Sequence, residues 1–348
     1  MKMNRFARVA ATFIGCMVLA GCSKSGVPQD GSGSAGEQAG VATDTATESV
    51  SGSGATDAVT EETTQGPVFN PVVRKPLEDL TETGDNTYTC SYDGVGHDFI
   101  LELPEETEGA PLIVMLHGYG QSASVMKSEV HMEEDAVPKG YAVVYVTGAP
   151  DSTDPTTANG WNSGISENEN DDVGFIVSLT EYLQDEYGFD KDRTYAAGFS
   201  NGAFMMHRLA MDAQDVFSAV ASVCGKMPKS VWDRRYGSNQ VGVLQISGEK
   251  DDVVPKALDG SATYAYDPGI EEVMQYWADS NGISQCVDES IGKNSTITKY
   301  GDTEGHKVWS VMVKDGRHSW YDEGLTGIDV NGLIIEFFEA QTGMPSAD

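Results

Sequence analysis

One serine sits between two glycines in Tyr-Ala-Ala-Gly-Phe-Ser-Asn-Gly-Ala-Phe-Met-Met-His, residues 195–207. Gly198-Phe199-Ser200-Asn201-Gly202 fits Gly-x-Ser-x-Gly, where a sharp strand-to-helix turn pushes a hydroxyl out above a sheet. The pattern alone is weak in a chain with 39 glycines among 348 residues, so the flanking sequence has to supply the context. It does so, with an apolar run before the serine and an amphipathic run after it. A serine hydroxyl is a poor nucleophile until a histidine takes its proton, and that histidine needs a carboxylate to orient it. Of the six histidines only His306 and His318 follow Ser200. His306 opens an apolar run. His318 lies in Asp-Gly-Arg-His-Ser-Trp, a loop between a strand and the last helix, and is the expected base. The acid should follow a strand between these two points. Val-Gly-Val-Leu-Gln-Ile-Ser at 241–247 leads into Gly-Glu-Lys-Asp-Asp-Val-Val-Pro, which offers Asp251 and, as the alternative, Asp252. Both belong at the carboxyl edge of the sheet, where sites of open parallel sheets gather.

A tetrahedral intermediate also needs two amide donors for its oxyanion. One comes from the residue after the nucleophile, Asn201. The other comes from the turn His117-Gly118-Tyr119-Gly120-Gln121, which follows the apolar run Leu112–Leu116. Tyr119 is the expected donor and Gly120 the alternative, while His117 is read as holding the turn. No Cys/His cluster has metal-ligand spacing, so no metal or cofactor is expected.

The elements that must position these groups can be read from hydrophobic periodicity. Strands are expected at Tyr88–Tyr92, Phe99–Leu103, Leu112–Leu116, Tyr141–Val146, Tyr195–Phe199, Ala219–Val223, Val241–Ser247 and Lys307–Val313. Several are continuous apolar runs, as in strands covered on both faces. Helices are expected at Val173–Tyr187, Asn201–Met211, Gly269–Ser280 and Ile328–Ala340, the first capped by Asp172 and stopped at Gly188. Such alternation implies an α/β fold, a mostly parallel central sheet with helices on both faces.

The N-terminus has another character. Lys2, Arg5 and Arg8 flank or precede an apolar run from Phe6 to Ala20, and Leu19-Ala20-Gly21-Cys22 follows. This reads as a lipoprotein signal over residues 1–21, with lipidation at Cys22 and attachment to the bacterial cell envelope. Residues 22–67 lack the apolar surface to offset chain entropy and read as a tether; residues 68–348 read as the folded domain. The net charge of −32 argues against nucleic acid and anionic lipid headgroups as partners, so membrane contact is expected only through the anchor. Oligomeric state is not legible. Of the remaining cysteines, Cys224 and Cys286 are the expected disulfide, with Cys90 left over.

Six blocks then occur in order: Pro-Leu-Ile-Val-Met-Leu-His-Gly-Tyr-Gly-Gln, Gly-Trp-Asn at 160–162, Asp-Asp-Val-Gly-Phe-Ile at 171–176, Gly-Phe-Ser-Asn-Gly, Asp-x-Val-Val-Pro at 251–255 and Arg-His-Ser-Trp at 317–320. From about Tyr88 to Thr342 the chain resembles the secreted esterase family of α/β-hydrolases. That family holds poly(3-hydroxybutyrate) depolymerases, feruloyl esterases and acetylxylan esterases of carbohydrate esterase family 1. The resemblance implies a triad of Ser200, Asp251 and His318 and supports Asp251 over Asp252. It also puts Trp161 and Trp320 near the substrate. Three positions depart from the family pattern: Tyr119 stands where Cys is frequent, Ala203 where Gly is frequent, and Ser247 where His is common. The implied function is a surface-tethered serine esterase acting on ester-bearing plant cell-wall polysaccharide. A polyester hydrolase is the alternative within the same chemistry, and a non-catalytic surface binding protein the alternative outside it.

Overall fold

The computed structural model describes residues 71–165, 169–237, 240–254, 268–301 and 305–341. The chain divides into two units, Met1–Glu62 and Thr63–Asp348, and every described residue belongs to the second. The signal and Cys22 lie outside the described residues, as does the tether over 22–67. Among the described residues no helix is long and apolar enough to cross a membrane.

Among the described residues eleven strands form one sheet: β1 (Glu78–Gly84), β2 (Thr87–Tyr92), β3 (Val95–Glu102), β4 (Leu112–Leu116), β5 (Ala142–Val146), β6 (Thr194–Phe199), β7 (Ala219–Val223), β8 (Gly242–Gly248), β9 (Cys286–Ile291), β10 (Ser295–Tyr300) and β11 (Val308–Val313). Their order is β1-β2-β3-β5-β4-β6-β7-β8-β11-β10-β9. The six from β5 to β11 are parallel neighbours, and antiparallel strands flank them on both sides. The helices are α1 (Ala123–Val130), α2 (Met132–Ala136), α3 (Asp172–Tyr187), α4 (Asn201–Asp212), α5 (Lys229–Trp232), α6 (Ile270–Ser280), α7 (Glu323–Thr326) and α8 (Val330–Glu339).

Every residue of β4, β5 and β7 is buried, which is why these strands read as unbroken apolar runs. Successive side chains point to opposite faces. Leu112, Val114 and Leu116 pack with α3, α4 and α6, whereas Ile113 and Met115 pack with α1, α2 and α8. Each such aliphatic side chain contributes about 1.5–3 kcal/mol on full burial, so the two layers fix which face each helix must cover.

From β4 the chain steps to β5 on one side, then crosses to β6 on the other. The carboxyl ends of β4 and β6 are thus a topological switch point, and the turn after β4 faces the turn after β6 across a crevice.

Two expectations are corrected. The N-cap of α3 is Asp171, whose side chain accepts from Gly174 N–H, while Asp172 is the first helical residue; Gly188 ends the helix at φ 72°. Cys224 and Cys286 are both free. Cys224 follows β7 and Cys286 opens β9, four strand positions away. That is ~19 Å at the usual strand spacing, against a limit of about 7 Å between bridged Cα atoms.

Candidate active site

Ser200 sits at φ 52°, ψ −113°, a left-handed conformation that a non-glycine residue adopts only under constraint. Its N–H donates to Val223 O at 3.0 Å, and its carbonyl accepts from Phe204 N–H at 3.0 Å. The flanking glycines are sterically required. A Cβ on Gly198 would lie 2.5 Å from the Gly202 carbonyl, and one on Gly202 would lie 2.2 Å from Leu116 O. The elbow is therefore pressed between β7 and the end of β4.

His318 Nε2 lies 2.9 Å from Ser200 Oγ, and His318 Nδ1 lies 2.8 Å from Asp251 Oδ2. The other oxygen of Asp251 accepts from Val253 N–H at 2.9 Å and Val254 N–H at 2.8 Å, so the carboxylate has one fixed orientation. The Asp251 side chain is only 2% exposed, which strengthens each of these contacts. The acid loop and the histidine loop are locked together: Glu249 N–H donates to Val313 O at 3.0 Å and Lys250 N–H to Gly316 O at 2.8 Å. Phe199 lies against the His318 ring, with centroids 5.1 Å apart. The structure does not bring the alternatives to the serine. Asp252 is exposed, with Arg317 at 3.9 Å. His306 precedes β11 and so lies at the amino edge of the parallel sheet, opposite Ser200.

The turn after β4 is closed by Gln121 N–H donating to Gly118 O at 3.2 Å, with Gly120 at φ 80°. Its amides are used unequally. Gly118 N–H donates to Gln121 Oε1 at 2.9 Å and Gly120 N–H to Asn159 O at 2.7 Å. Gly202 N–H donates to His117 O at 3.1 Å. Among the described residues, the amides of Tyr119 and Asn201 make no hydrogen bond. These are the two expected oxyanion donors, whereas Gly120 is already committed.

His117 holds the turn, as expected. Nδ1–H donates to Gly118 O at 2.6 Å, Nε2 accepts from Gly148 N–H at 2.9 Å, and burial lowers its pKa to about 4, so it is a neutral structural group. A Cβ on Gly118 would come within 3.4 Å of Ser200 Cβ, which places the turn directly over the elbow.

Of the two tryptophans, Trp161 is packed inside the scaffold and Trp320 is partly exposed. Trp161 is 2% exposed, and its indole N–H donates to His117 O at 2.9 Å. Trp320 is half-buried against the α8 face of the core and donates to Asn331 Oδ1 at 3.1 Å. The aromatic ring that does stand open is Tyr119, 58% exposed and lying over Gly160.

One positioning group carries no signature in the sequence beyond the Gly-Trp-Asn block. The Asn201 side chain accepts from Trp161 N–H at 2.7 Å and donates to Ser163 Oγ at 3.0 Å. It clamps the 160–163 loop onto the start of α4. The next residue of that loop, Asn162, donates its N–H to buried Asp172 Oδ2 at 2.6 Å. Burial pushes the Asp172 carboxyl up to about 6, opposed mainly by that hydrogen bond.

A family model described as serine hydrolase (FSH1) matches residues 109–279, which span the oxyanion turn, the elbow and the strand before the acid loop. NocK of Nocardia uniformis subsp. tsuyamanensis, a protein named as an esterase, is 29% identical over 281 residues, covering 72% of this chain and 78% of its own length. Feruloyl esterase B of Thermothelomyces thermophilus is 29% identical over 154 residues, where the chain spans 48% of that relative and 43% of itself is matched. A probable feruloyl esterase C of Aspergillus niger is 24% identical, with 70% of this chain and 84% of that protein covered. Among solved structures, acetyl xylan esterase from Aspergillus awamori superposes with a TM-score of 0.55 at 15% identity, over 76% of this chain and all of that one, a likeness of fold. The chain is a serine hydrolase of the α/β-hydrolase fold, a carboxylic ester hydrolase that resembles the family of feruloyl and acetylxylan esterases.

Proposed function

We propose that Ser200, His318 and Asp251 are the catalytic triad of an esterase that removes feruloyl or acetyl groups from plant cell-wall polysaccharide, on the outer face of a cell to which Cys22 anchors the chain. The observation that carries this reading is the hydrogen-bonded path from Ser200 Oγ through both nitrogens of His318 to Asp251 Oδ2, at 2.9 and 2.8 Å. Ser200 Oγ attacks the ester carbonyl while His318 Nε2 takes its proton. Asp251 keeps the second imidazole proton on Nδ1 and stabilises the cation that forms. The carbonyl oxygen gathers negative charge and moves toward the amides of Tyr119 and Asn201. Each amide contributes ~3 kcal/mol because it is fixed in place before charge develops. His318 then protonates the leaving sugar oxygen, and the acyl-serine is hydrolysed by water activated on the same nitrogen.

The acyl preference is supported by the Tyr119 ring, an exposed aromatic face on the residue that supplies an oxyanion amide. A feruloyl ring can stack on such a face, worth about 0.5–1.5 kcal/mol beyond the area buried. The names of the relatives point the same way. The test is hydrolysis of methyl ferulate, acetylated xylan and a short hydroxybutyrate oligomer by the chain and by Ser200→Ala. Release of ferulate or acetate that disappears in the variant is the expected result. Release from the oligomer alone would replace this reading with polyester hydrolysis.

A further inference from the structure

Beside the acid–base pair lies a side chain that ester hydrolysis does not use. Cys224 follows β7, is 1% exposed and sits at φ 57°. Its thiol donates to Ser319 O at 3.4 Å, and Tyr321 Oη lies 3.1 Å from the sulfur. The sulfur, a carboxylate oxygen of Asp251 and a ring nitrogen of His318 all lie within 4.8 Å of one another. Nδ1 is the nitrogen on that side, since it faces Asp251 while Nε2 faces Ser200.

We propose that Cys224 Sγ, Asp251 Oδ2 and His318 Nδ1 form an inhibitory site for a thiophilic divalent cation of the zinc or cadmium type. Thiolate, carboxylate and imidazole are the three ligand types that zinc takes. Zinc bonds of about 2.3 Å to sulfur and about 2.0–2.2 Å to nitrogen and oxygen put tetrahedral donors roughly 3.3–3.6 Å apart. Donors at most 4.8 Å apart need to close by at most about 1.5 Å, shared between the two side chains of a pair, and the Asp251–His318 contact opens slightly. The charges balance, because one thiolate and one carboxylate neutralise a dication in a buried place. Tyr321 O–H remains beside the sulfur as a hydrogen-bond donor to the thiolate, the kind of outer support metal ligands use.

Protons balance as well. The thiol gives up its proton to solvent, and the imidazole proton moves from Nδ1 to Nε2 as the metal takes Nδ1. The ring then presents N–H, and no lone pair, to Ser200. The cation thus blocks proton abstraction without touching the nucleophile, a consequence that rests on the triad proposed above. Magnesium and calcium prefer all-oxygen ligand sets and should not inhibit.

The test titrates the full chain and Cys224→Ala with cadmium chloride, following sulfur-to-cadmium charge-transfer absorption and methyl ferulate hydrolysis together. Exposed Cys286 contributes equally to both proteins, so the difference spectrum isolates Cys224. The expected result is one additional cadmium–thiolate site per wild-type chain. Hydrolysis should fall at least tenfold at saturation, recover with a chelator, and ignore magnesium. Cys224→Ser, which can keep the hydrogen bonds to Ser319 and Tyr321, should also lose the absorption and bind roughly tenfold or more weakly. Identical spectra for wild type and both variants would overturn the site. Binding at Cys224 without loss of hydrolysis would overturn the inhibitory role, while a His318→Ala variant that still hydrolyses the ester would overturn the triad itself.

Discussion

Gly202→Ala tests whether the elbow and the oxyanion turn are one mechanical unit. The added methyl would sit 2.2 Å from Leu116 O and 2.7 Å from His117 O. Both obstacles are backbone atoms at the end of β4, so neither can rotate aside. Reaching ordinary contact requires α4 or the turn to move by about 1 Å, against an interior that resists overpacking at ~1–3 kcal/mol. The same movement stretches the Gly202 N–H to His117 O bond and separates the Asn201 and Tyr119 amides. A displacement of that size costs roughly 100-fold in a reaction that depends on orientation. The loss should fall on kcat with KM little changed, because the amides bind the oxyanion more strongly than the ground-state carbonyl. Steady-state kinetics on methyl ferulate, paired with thermal unfolding, separate the two effects. The expected result is kcat down about 100-fold, with Tm lower by about 2–4 °C per kcal/mol lost. A kcat within threefold of wild type would refute the mechanical link.

Further expectations concern the acid, pH and the thiols. Asp251→Asn leaves an acceptor for the Val253 and Val254 amides but turns an amide nitrogen toward His318 Nδ1, forcing the wrong tautomer; kcat should fall by ~10⁴ with stability nearly unchanged, and a loss under tenfold would contradict the role of Asp251. Desolvation lowers the pKa of His97, His117, His207 and His306 to about 4. Their folded pKa values lie below the unfolded value near 6.5, so the unfolded chain binds protons first and stability is lost as pH falls from 6.5 toward 4, by at most ~3 kcal/mol each. Asp172, pushed up to about 6, opposes this by protonating first in the folded state. Four groups against one predict a lower urea midpoint at pH 4.5 than at pH 7, and an equal or higher midpoint would contradict the assignment. Finally, Cys286 should react with a thiol reagent in the native protein while Cys90 and Cys224 react only on unfolding; a Cys224–Cys286 bridge found by mass spectrometry would be the opposite result.

The buried half of the molecule was legible because both faces of its sheet are covered. Leu112–Leu116 and Ala219–Val223 are strands with the bounds their apolar runs suggest. The edge strands were not, since β1 and β9 are almost wholly exposed and carry no apolar run, and short helices such as α5 and α7 carry too few turns for a period. At the site, residue types that bear chemistry were found because each has few candidates: one elbow and two downstream histidines. The preference for Tyr119 over Gly120 was open in the sequence; the bond from Gly120 N–H to Asn159 O, which only three-dimensional structure reveals, favours it. Whether a loop tryptophan faces substrate or scaffold has no local signature in the sequence; the indoles of Trp161 and Trp320 both donate to oxygens of the scaffold. The Asn201 clamp and the place of Cys224 behind the triad join residues 38 to 97 positions apart, beyond any local pattern.

The most direct measurement is covalent labelling with a fluorophosphonate, which reacts only with a serine activated by a neighbouring base. Intact mass should rise by one adduct per chain, peptide mapping should place it on Ser200, and His318→Ala should abolish it along with ester hydrolysis. An adduct on another serine, or labelling and hydrolysis that survive in Ser200→Ala, would contradict the assignment of Ser200 as the nucleophile.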